Sequence, residues 1–493
     1  MCIRDRLRPF EEILLEYQKK FNETKLKDKP MVKLLSDIIG YYSREMKPSW
    51  REFFDRKHLT HEELVDENEC IGNMKLVSQF QDKRSFEYKF LFPPQEYKLK
   101  KGDGVIIANN NDPDRDDSAG TIKELDQVNR SVVLRKGISK EKKQLPKTLS
   151  IGKKLMQHSL FDKLNKNIYD FCENILENKK GYEALKCFLN RDIPNIKDLK
   201  SGDKIIKSEN FIKEIPNIIS RLNSSCIFLQ GPPGTGKTFH SSNAIVELLK
   251  KNKKIAVTAN SHKVIHNLLE RVENIANKQK FVFKGLKKGN PNDGDSFYDG
   301  KLIKTESNEK KYIDGLKENK ILLYAGTKYH LSSWYYRSKI DYLFIDEASQ
   351  FSLADLIALG GITKNIVLVG DQLQLGQPTQ GSHPNYSGYS VLDYLLEGKD
   401  TVPANMGIFL TRTFRMHPNI NVFISENFYE NKLLTDISAE SRKVNYPKNF
   451  FINNDGIHTI LMDHTDCSQT SEAEFKKIDA VSYTHLRAHE TTN

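Results

Sequence analysis

Between Cys226 and Leu410 short apolar runs alternate with stretches whose apolar residues recur at helical spacing. Cys226-Ile227-Phe228-Leu229, Ile255-Ala256-Val257, Tyr342-Leu343-Phe344-Ile345 and Val367-Leu368-Val369 are continuously apolar and end in turn residues, a pattern that predicts buried strands. Ala244-Ile245-Val246-Leu248-Leu249 and Val264-Ile265-Leu268-Leu269 instead line one side of a helix. Strands alternating with helices predict an α/β unit with a parallel sheet flanked by helices.

Upstream the rhythm changes. Tyr88–Phe92, Gly104–Ile107, Gly120–Ile122 and Val132–Leu134 are short strand patterns broken by turns, with a polar, acidic loop from Asn109 to Asp117, and this spacing suggests a small β-barrel. Leu155, Leu160, Leu164, Ile168, Phe171, Ile175 and Leu176 follow at helical spacing and predict a packed stalk. Trp50, Phe53 and Phe54 read as core residues, and the lysine-rich stretch from Phe283 to Lys320 as a solvated insertion. Internal repeats and long low-complexity segments are absent from the sequence.

The chemistry lies in the turns after the strands. Gly231-Pro232-Pro233-Gly234-Thr235-Gly236-Lys237-Thr238 fits G-x-x-x-x-G-K-[ST] between a strand and a helix. The glycines let backbone N–H groups face a phosphate, and the helix N-terminus adds its positive dipole end. Lys237 would reach the β- and γ-phosphates of ATP, and Thr238 would place its hydroxyl on Mg²⁺. A second strand ends in Asp346-Glu347, where Asp346 can hold the Mg²⁺ shell and Glu347 can polarise the attacking water. A chance acidic pair at a strand end is common alone and improbable beside a phosphate loop. A guanine-reading switch is disfavoured, because no Asn-Lys-x-Asp string is present.

Further strings follow in order: Ile255–His262, Ala325-Gly326-Thr327, Val367–Leu375 and Thr413-Phe414-Arg415-Met416-His417-Pro418. With the two motifs above they make residues 225 to 480 resemble superfamily 1B helicases, the branch of the nonsense-decay helicases and the Okazaki-fragment nuclease-helicases. The resemblance implies RecA-like motor domains, with Gln374 and Arg415 sensing the γ-phosphate and Arg415 reaching over from the second of them. It also implies that Ser261, His262 and Thr327 lie along a single-strand track; for Ser261 and His262, capping the following helix stays open as their whole role. It implies ATP-driven movement on single-stranded nucleic acid, 5′ to 3′ and on DNA sooner than RNA. Phe414 and Thr413 depart from the tyrosine and glutamine usual there, and no clear glutamine motif precedes Gly231, which puts adenine selectivity in doubt. The barrel would touch nucleic acid or serve as a spacer.

Arg44–Trp50, Ser261–Leu269 and Gly376–Pro384 resemble, more narrowly, a bacterial subgroup with a RecB-like nuclease domain ahead of the motor in the same parent chain. An Asp…Glu-x-Lys nuclease constellation is absent between residues 7 and 60. The expected organisation is a helical region over 7–80, the barrel over 81–138, the stalk over 139–205, a first RecA-like domain over 206–400 and a truncated second one over 401–480.

The ends read as foreign. Met1–Asp5 can be encoded by a string whose reverse complement encodes Val481–His485, as an inverted sequencing adapter would be, so residues 1–6 and 481–493 are set aside as artefact and the chain as an internal fragment. Ser471-Glu472-Ala473-Glu474 forms a capping-box pattern for a helix that loses support where the adapter begins. A chain cut there is expected to bind ATP and turn it over poorly, and a nucleic-acid-binding module without motor activity is the non-enzyme alternative.

Composition adds little. The net charge of +11 suits a polyanion, but the excess of lysine accompanies asparagine and isoleucine, as AT-rich coding also gives. The six cysteines show no C-x-x-C pairing, so neither zinc nor a disulfide framework is indicated and a cytoplasmic setting fits. Apolar runs fall short of the ~20 residues a membrane helix needs.

Overall fold

The computed structural model describes residues 3–25, 29–82, 85–110, 118–138, 144–154, 158–208, 210–291, 293–442, 456–462 and 471–479. Most of the expected loop after Asn109, and the adapter-like residues 1, 2 and 481–493, lie outside them; residues 3–6 fall in the first helix. The chain divides into two compact units, one of residues 1–165 with 379–388 and the other of 166–378 with 389–493.

The first unit contains helices α1 (Ile3–Glu23), α2 (Pro30–Ile38) and α3 (Tyr41–Arg56) and a closed barrel. The barrel strands are β1 (Cys70–Asp82), β2 (Ser85–Leu91), β3 (Gly104–Ile107), β4 (Ser118–Asp126), β5 (Ser131–Gly137) and β6 (Thr148–Lys153), in the order β1-β2-β5-β4-β3-β6. Closure leaves no free edge. The barrel therefore starts and ends outside the expected 81–138. The 13-residue β1 carries bulges against both neighbours that break the alternation a sequence reading relies on. Its inward faces give one core that includes Tyr88, Phe90, Val105, Ile122, Leu134 and Ile151. Trp50 and Phe53 pack with Ile106 in a satellite cluster, as expected of core residues.

Helix α4 (His158–Leu176) spans the boundary between the units, and α5 (Glu183–Leu189) and α6 (Phe211–Ser220) precede the sheet. That sheet comprises β7 (Cys226–Gln230), β8 (Ile255–Thr258), β9 (Gly285–Lys288), β10 (Ile303–Glu306), β11 (Leu323–Ala325), β12 (Ile340–Ile345), β13 (Thr363–Gly370) and β14 (Gly407–Phe409). Its order is β10-β9-β11-β8-β12-β13-β7-β14, with every pairing parallel. Helices α7 (Lys237–Lys250), α8 (His262–Lys278), α9 (Glu309–Glu318), α10 (Lys328–Leu331), α11 (Leu353–Leu359) and α12 (Val391–Leu396) fill the crossovers, as parallel pairing requires. Ile227, Leu229, Val257, Leu268, Phe344 and Val367 are almost wholly buried in one core, each contributing about 1.5–3 kcal/mol on the usual scale.

Two expectations need correction. The stretch from Phe283 to Lys320 is not an insertion: β9 and β10 extend the sheet, and Lys287 is fully buried with its ammonium donating to the Ser296 carbonyl. Burial pushes that ammonium down to about 8. Gly407-Ile408-Phe409 likewise does not open a second motor domain; as β14 it is the edge strand beside β7. Beyond it, the described residues form α13 (Pro418–Phe428), the two-stranded pair β15 (Arg412–Thr413) and β16 (Leu434–Thr435), and a final helix over 472–479 whose Glu474 amide is capped by Ser471 Oγ at 3.3 Å.

Candidate nucleotide site

Every predicted phosphate or metal residue lies at the C-terminal edge of the parallel sheet, where such folds bind ligands. The loop after β7 begins with Gly231 N bonded to Gly370 O of β13 at 2.9 Å, which sets the two strand ends side by side. Gly234 (φ +79°) and Gly236 (φ +83°) adopt the left-handed conformation that glycine tolerates best. A Cβ on Gly231 would fall 2.1 Å from Lys237 Cγ, so the lysine folds back over bare backbone and donates to the Gly231 carbonyl at 2.9 Å. Thr235 Oγ1 ties the loop to the Pro232 carbonyl at 2.8 Å.

Across from this loop Asp346 and Glu347 leave the end of β12. Asp346 is 3% exposed, and desolvation, together with the Glu347 charge, pushes its carboxyl up to about 7 while Lys237 pulls it down. The Glu347 amide donates to Asp346 Oδ1 at 3.1 Å, and Glu347 itself sits at φ +50°, a strained conformation for a non-glycine residue. A buried carboxylate beside a second acid is costly unless a cation joins it, so Asp346 fits a divalent ion. Among the described residues there is no cluster of three or more His, Cys, Asp or Glu that would hold a metal by itself. Magnesium held by a carboxylate, a hydroxyl and ligand phosphates suits such a site.

Downstream of β13, Asp371 is fully buried; its Oδ2 accepts from Tyr429 Oη at 2.7 Å and from Gln374 Nε2 at 3.0 Å. The segment after β14 is stitched to the glycine loop, Phe414 N donating to Gly234 O at 2.9 Å and Thr413 Oγ1 to Pro233 O at 2.8 Å. These bonds carry Arg415 to the loop, and a cavity of about 380 Å³ is lined by residues 232–239 together with Glu347, Gln374 and Arg415. A second, mostly apolar cleft of about 460 Å³ shares Gly234, Gly236, Phe239 and Phe414 with it and is walled by Phe211, Ile212 and Leu410. The pair has room for a polyanionic tail and an aromatic ring.

Arg271 of α8 and Arg442 also line the phosphate-sized cavity. Neither was legible beforehand: Arg271 reads as one charge on the solvent face of an amphipathic helix, and Arg442 follows no regular pattern.

The residues assigned to a strand track lie on the same sheet edge. Ser261 caps α8, its Oγ accepting from Val264 N at 3.3 Å, and Thr327 stands at the N-terminus of α10 after β11, the neighbour of β8. His262 is half-buried; desolvation first, then the Lys287 charge, holds its imidazole below its usual range. The capping role left open for Ser261 is thus present.

Burial also pushes His240, beside the apolar cleft, and His266 each down to about 4. Between about pH 6.5 and 4 the unfolded chain binds protons that these two histidines refuse, so they lower stability as pH falls through that window and contribute nothing above it. Asp346 acts in the opposite sense, so the comparison is between variants. The urea midpoint of His240→Asn/His266→Asn is expected to fall less between pH 6.5 and 4.5 than that of the parent chain. Equal slopes would show that the two imidazoles are not desolvated.

Residues 216–379 match one AAA domain family, and residues 389–485 match a second. The DNA replication ATP-dependent helicase/nuclease dna2 of Schizosaccharomyces pombe is 29% identical over 220 residues, 43% of this chain and 15% of that protein. The regulator of nonsense transcripts 1 homolog of Neurospora crassa is 28% identical over 265 residues, 46% of this chain and 23% of that protein. A solved structure of Arterivirus nonstructural protein 10, a helicase, aligns with TM-score 0.32 and 12% identity over 76% of this chain and 60% of that one. The family matches and the sequence relatives support a superfamily 1 helicase, a class of ATP-hydrolysing enzymes. The chain spans less than a quarter of the length of each of those two relatives.

Proposed function

We propose that this chain is the motor portion of an ATP-driven translocase that moves 5′ to 3′ along single-stranded nucleic acid, DNA sooner than RNA. The observation that carries the reading is the single cavity lined by Lys237, Thr238, Glu347, Gln374 and Arg415. In it Lys237 and the amides of residues 234–238 hold the β- and γ-phosphates, and Thr238, with Asp346 buried at the end of β12, would hold the metal. Magnesium, when bound, neutralises charge on the phosphate oxygens. Glu347 orients the attacking water and takes its proton, while Gln374 and Arg415 contact the γ-phosphate, so that its loss is felt in the segment carrying Arg415. The apolar cleft takes the base. Ser261, His262 and Thr327 hold strand phosphates through hydroxyls and exposed helix-end amides.

The name of the first relative favours DNA, and that of the second keeps RNA as the alternative. An upstream nuclease domain in the parent and a bacterial setting rest on the narrower resemblance, and a cytoplasmic one on the cysteine pattern. The test is ATP hydrolysis with and without unstructured DNA and RNA strands. Stimulation by DNA that Lys237→Ala abolishes is expected; hydrolysis indifferent to both strands and to Lys237→Ala would end the motor reading. Strand binding is expected to weaken about tenfold or more between 50 and 200 mM salt, because it rests on backbone phosphates. An affinity flat across that range would argue against the track.

A further inference from the structure

Asp371, Gln374 and Tyr429 all belong to the larger unit and meet at one buried oxygen. Asp371 follows the end of β13, and its Oδ2 accepts from Gln374 Nε2 at 3.0 Å and from Tyr429 Oη at 2.7 Å. Its Oδ1, equally buried, has no hydrogen-bond partner among the described residues. Only the nitrogen of a glutamine amide donates, so the shared acceptor fixes which way Gln374 faces. That nitrogen carries two hydrogens, and one of them is left for the cavity that Gln374 lines.

Tyr429 is itself held firmly. It follows directly on α13, it is 3% exposed, and its ring lies 6.1 Å and 49° from that of Phe409 on β14. Burial first, then the Asp371 charge, pushes its phenol well above its usual range, so at neutral pH the hydroxyl remains a donor. Arg415 precedes the same helix, on a stretch bonded to the glycine loop through Thr413 and Phe414. Helix α13 is thus fastened at both ends, in front to the glycine loop and behind to the carboxylate that holds Gln374.

We propose that Tyr429 is a positioning residue for Gln374: by supplying one donor to Asp371 Oδ2 it leaves the Gln374 amide a hydrogen free for the γ-phosphate, and it ties the placement of that amide to the segment that carries Arg415. This rests on the γ-phosphate role given to Gln374 above. Without the hydroxyl, the buried carboxylate would draw both hydrogens of the amide toward its own oxygens and away from the cavity, because a buried acceptor left unpaired is costly.

Affinities for ADP and a non-hydrolysable ATP analogue, read by displacement of a fluorescent nucleotide, test this in the full chain with Tyr429→Phe, Gln374→Ala and the pair. Gln374→Ala is expected to lower the preference for the triphosphate about tenfold, the usual effect of one hydrogen bond to a charged group. Tyr429→Phe, which keeps the ring against Phe409, lowers it about three- to tenfold, and the pair is no worse than Gln374→Ala alone. A Tyr429→Phe chain with the parent preference, even one with both affinities reduced together, would show a purely structural tyrosine and overturn the proposal; so would effects that multiply in the pair. If Tyr429→Phe does not fold, Phe409→Leu, which shifts the ring and keeps the hydroxyl, takes its place under the same outcomes. A Gln374→Ala chain that keeps its full preference would remove the γ-phosphate role of Gln374 itself, whereas a loss confined to Gln374→Ala leaves that role standing and removes only the part given to Tyr429.

Discussion

Glu347→Gln is expected to bind Mg-ATP within about threefold of the parent chain while hydrolysing it about 10²–10⁴-fold more slowly, the usual contribution of a positioned general base. The geometry separates the two effects. The groups assigned to ground-state phosphate binding belong to the glycine loop and Lys237, and the metal groups are Thr238 and Asp346; the Glu347 charge acts on them by raising the Asp346 carboxyl, and its loss in Glu347→Gln favours the ionised form of Asp346. Glu347, with its backbone at φ +50°, lines the cavity, whereas Asp346 is buried. Glutamine keeps the shape and loses the charge that accepts a proton. Single-turnover hydrolysis with enzyme in excess is the measurement. Retained turnover in Glu347→Gln would move the base to another residue.

The second large effect is expected at Arg415. Arg415→Ala should lower hydrolysis about 10³–10⁵-fold, as loss of an arginine acting on the transferred phosphoryl group does in related sites, with a smaller change in ADP affinity. An independent route leads to the same defect. A Cβ on Gly234 would lie 2.3 Å from Arg415 Cβ and 2.7 Å from Thr413 Oγ1, at a φ of +79° that an L side chain resists. Gly234→Ala should therefore displace Arg415 and mimic Arg415→Ala in rate while retaining Lys237. If Gly234→Ala hydrolyses ATP normally, the close packing of loop and arginine is not the arrangement in which chemistry occurs.

The parts of this molecule legible in its sequence are those in which one physical demand dominates. A phosphate needs bare backbone, so the glycine loop is visible as a string, and strands buried on both faces read as apolar runs. Legibility fails where two demands compete. Lys287 and Lys288 look like a solvated tract, yet Gly285–Lys288 pairs on both sides within the sheet and the Lys287 ammonium finds a carbonyl in the adjoining loop. Gly407–Phe409 is short enough to suit either the end of one sheet or the start of another, and only its pairing with β7 decides. Arg271 and Arg442 enter the cavity through tertiary placement alone. The strings around Glu45 and His383 were conspicuous without a reason, because each is explained by a partner more than three hundred residues away.

The hydrogen bonds joining Pro233 and Gly234 to Thr413 and Phe414 bear on how such a motor would idle. They moor the segment that carries Arg415 to the glycine turn. Any outward swing of that segment must trade these bonds for water, and the lever would pivot at the turn that grips the fuel instead of at a remote joint. Release of spent nucleotide and slackening of the mooring would then be one event.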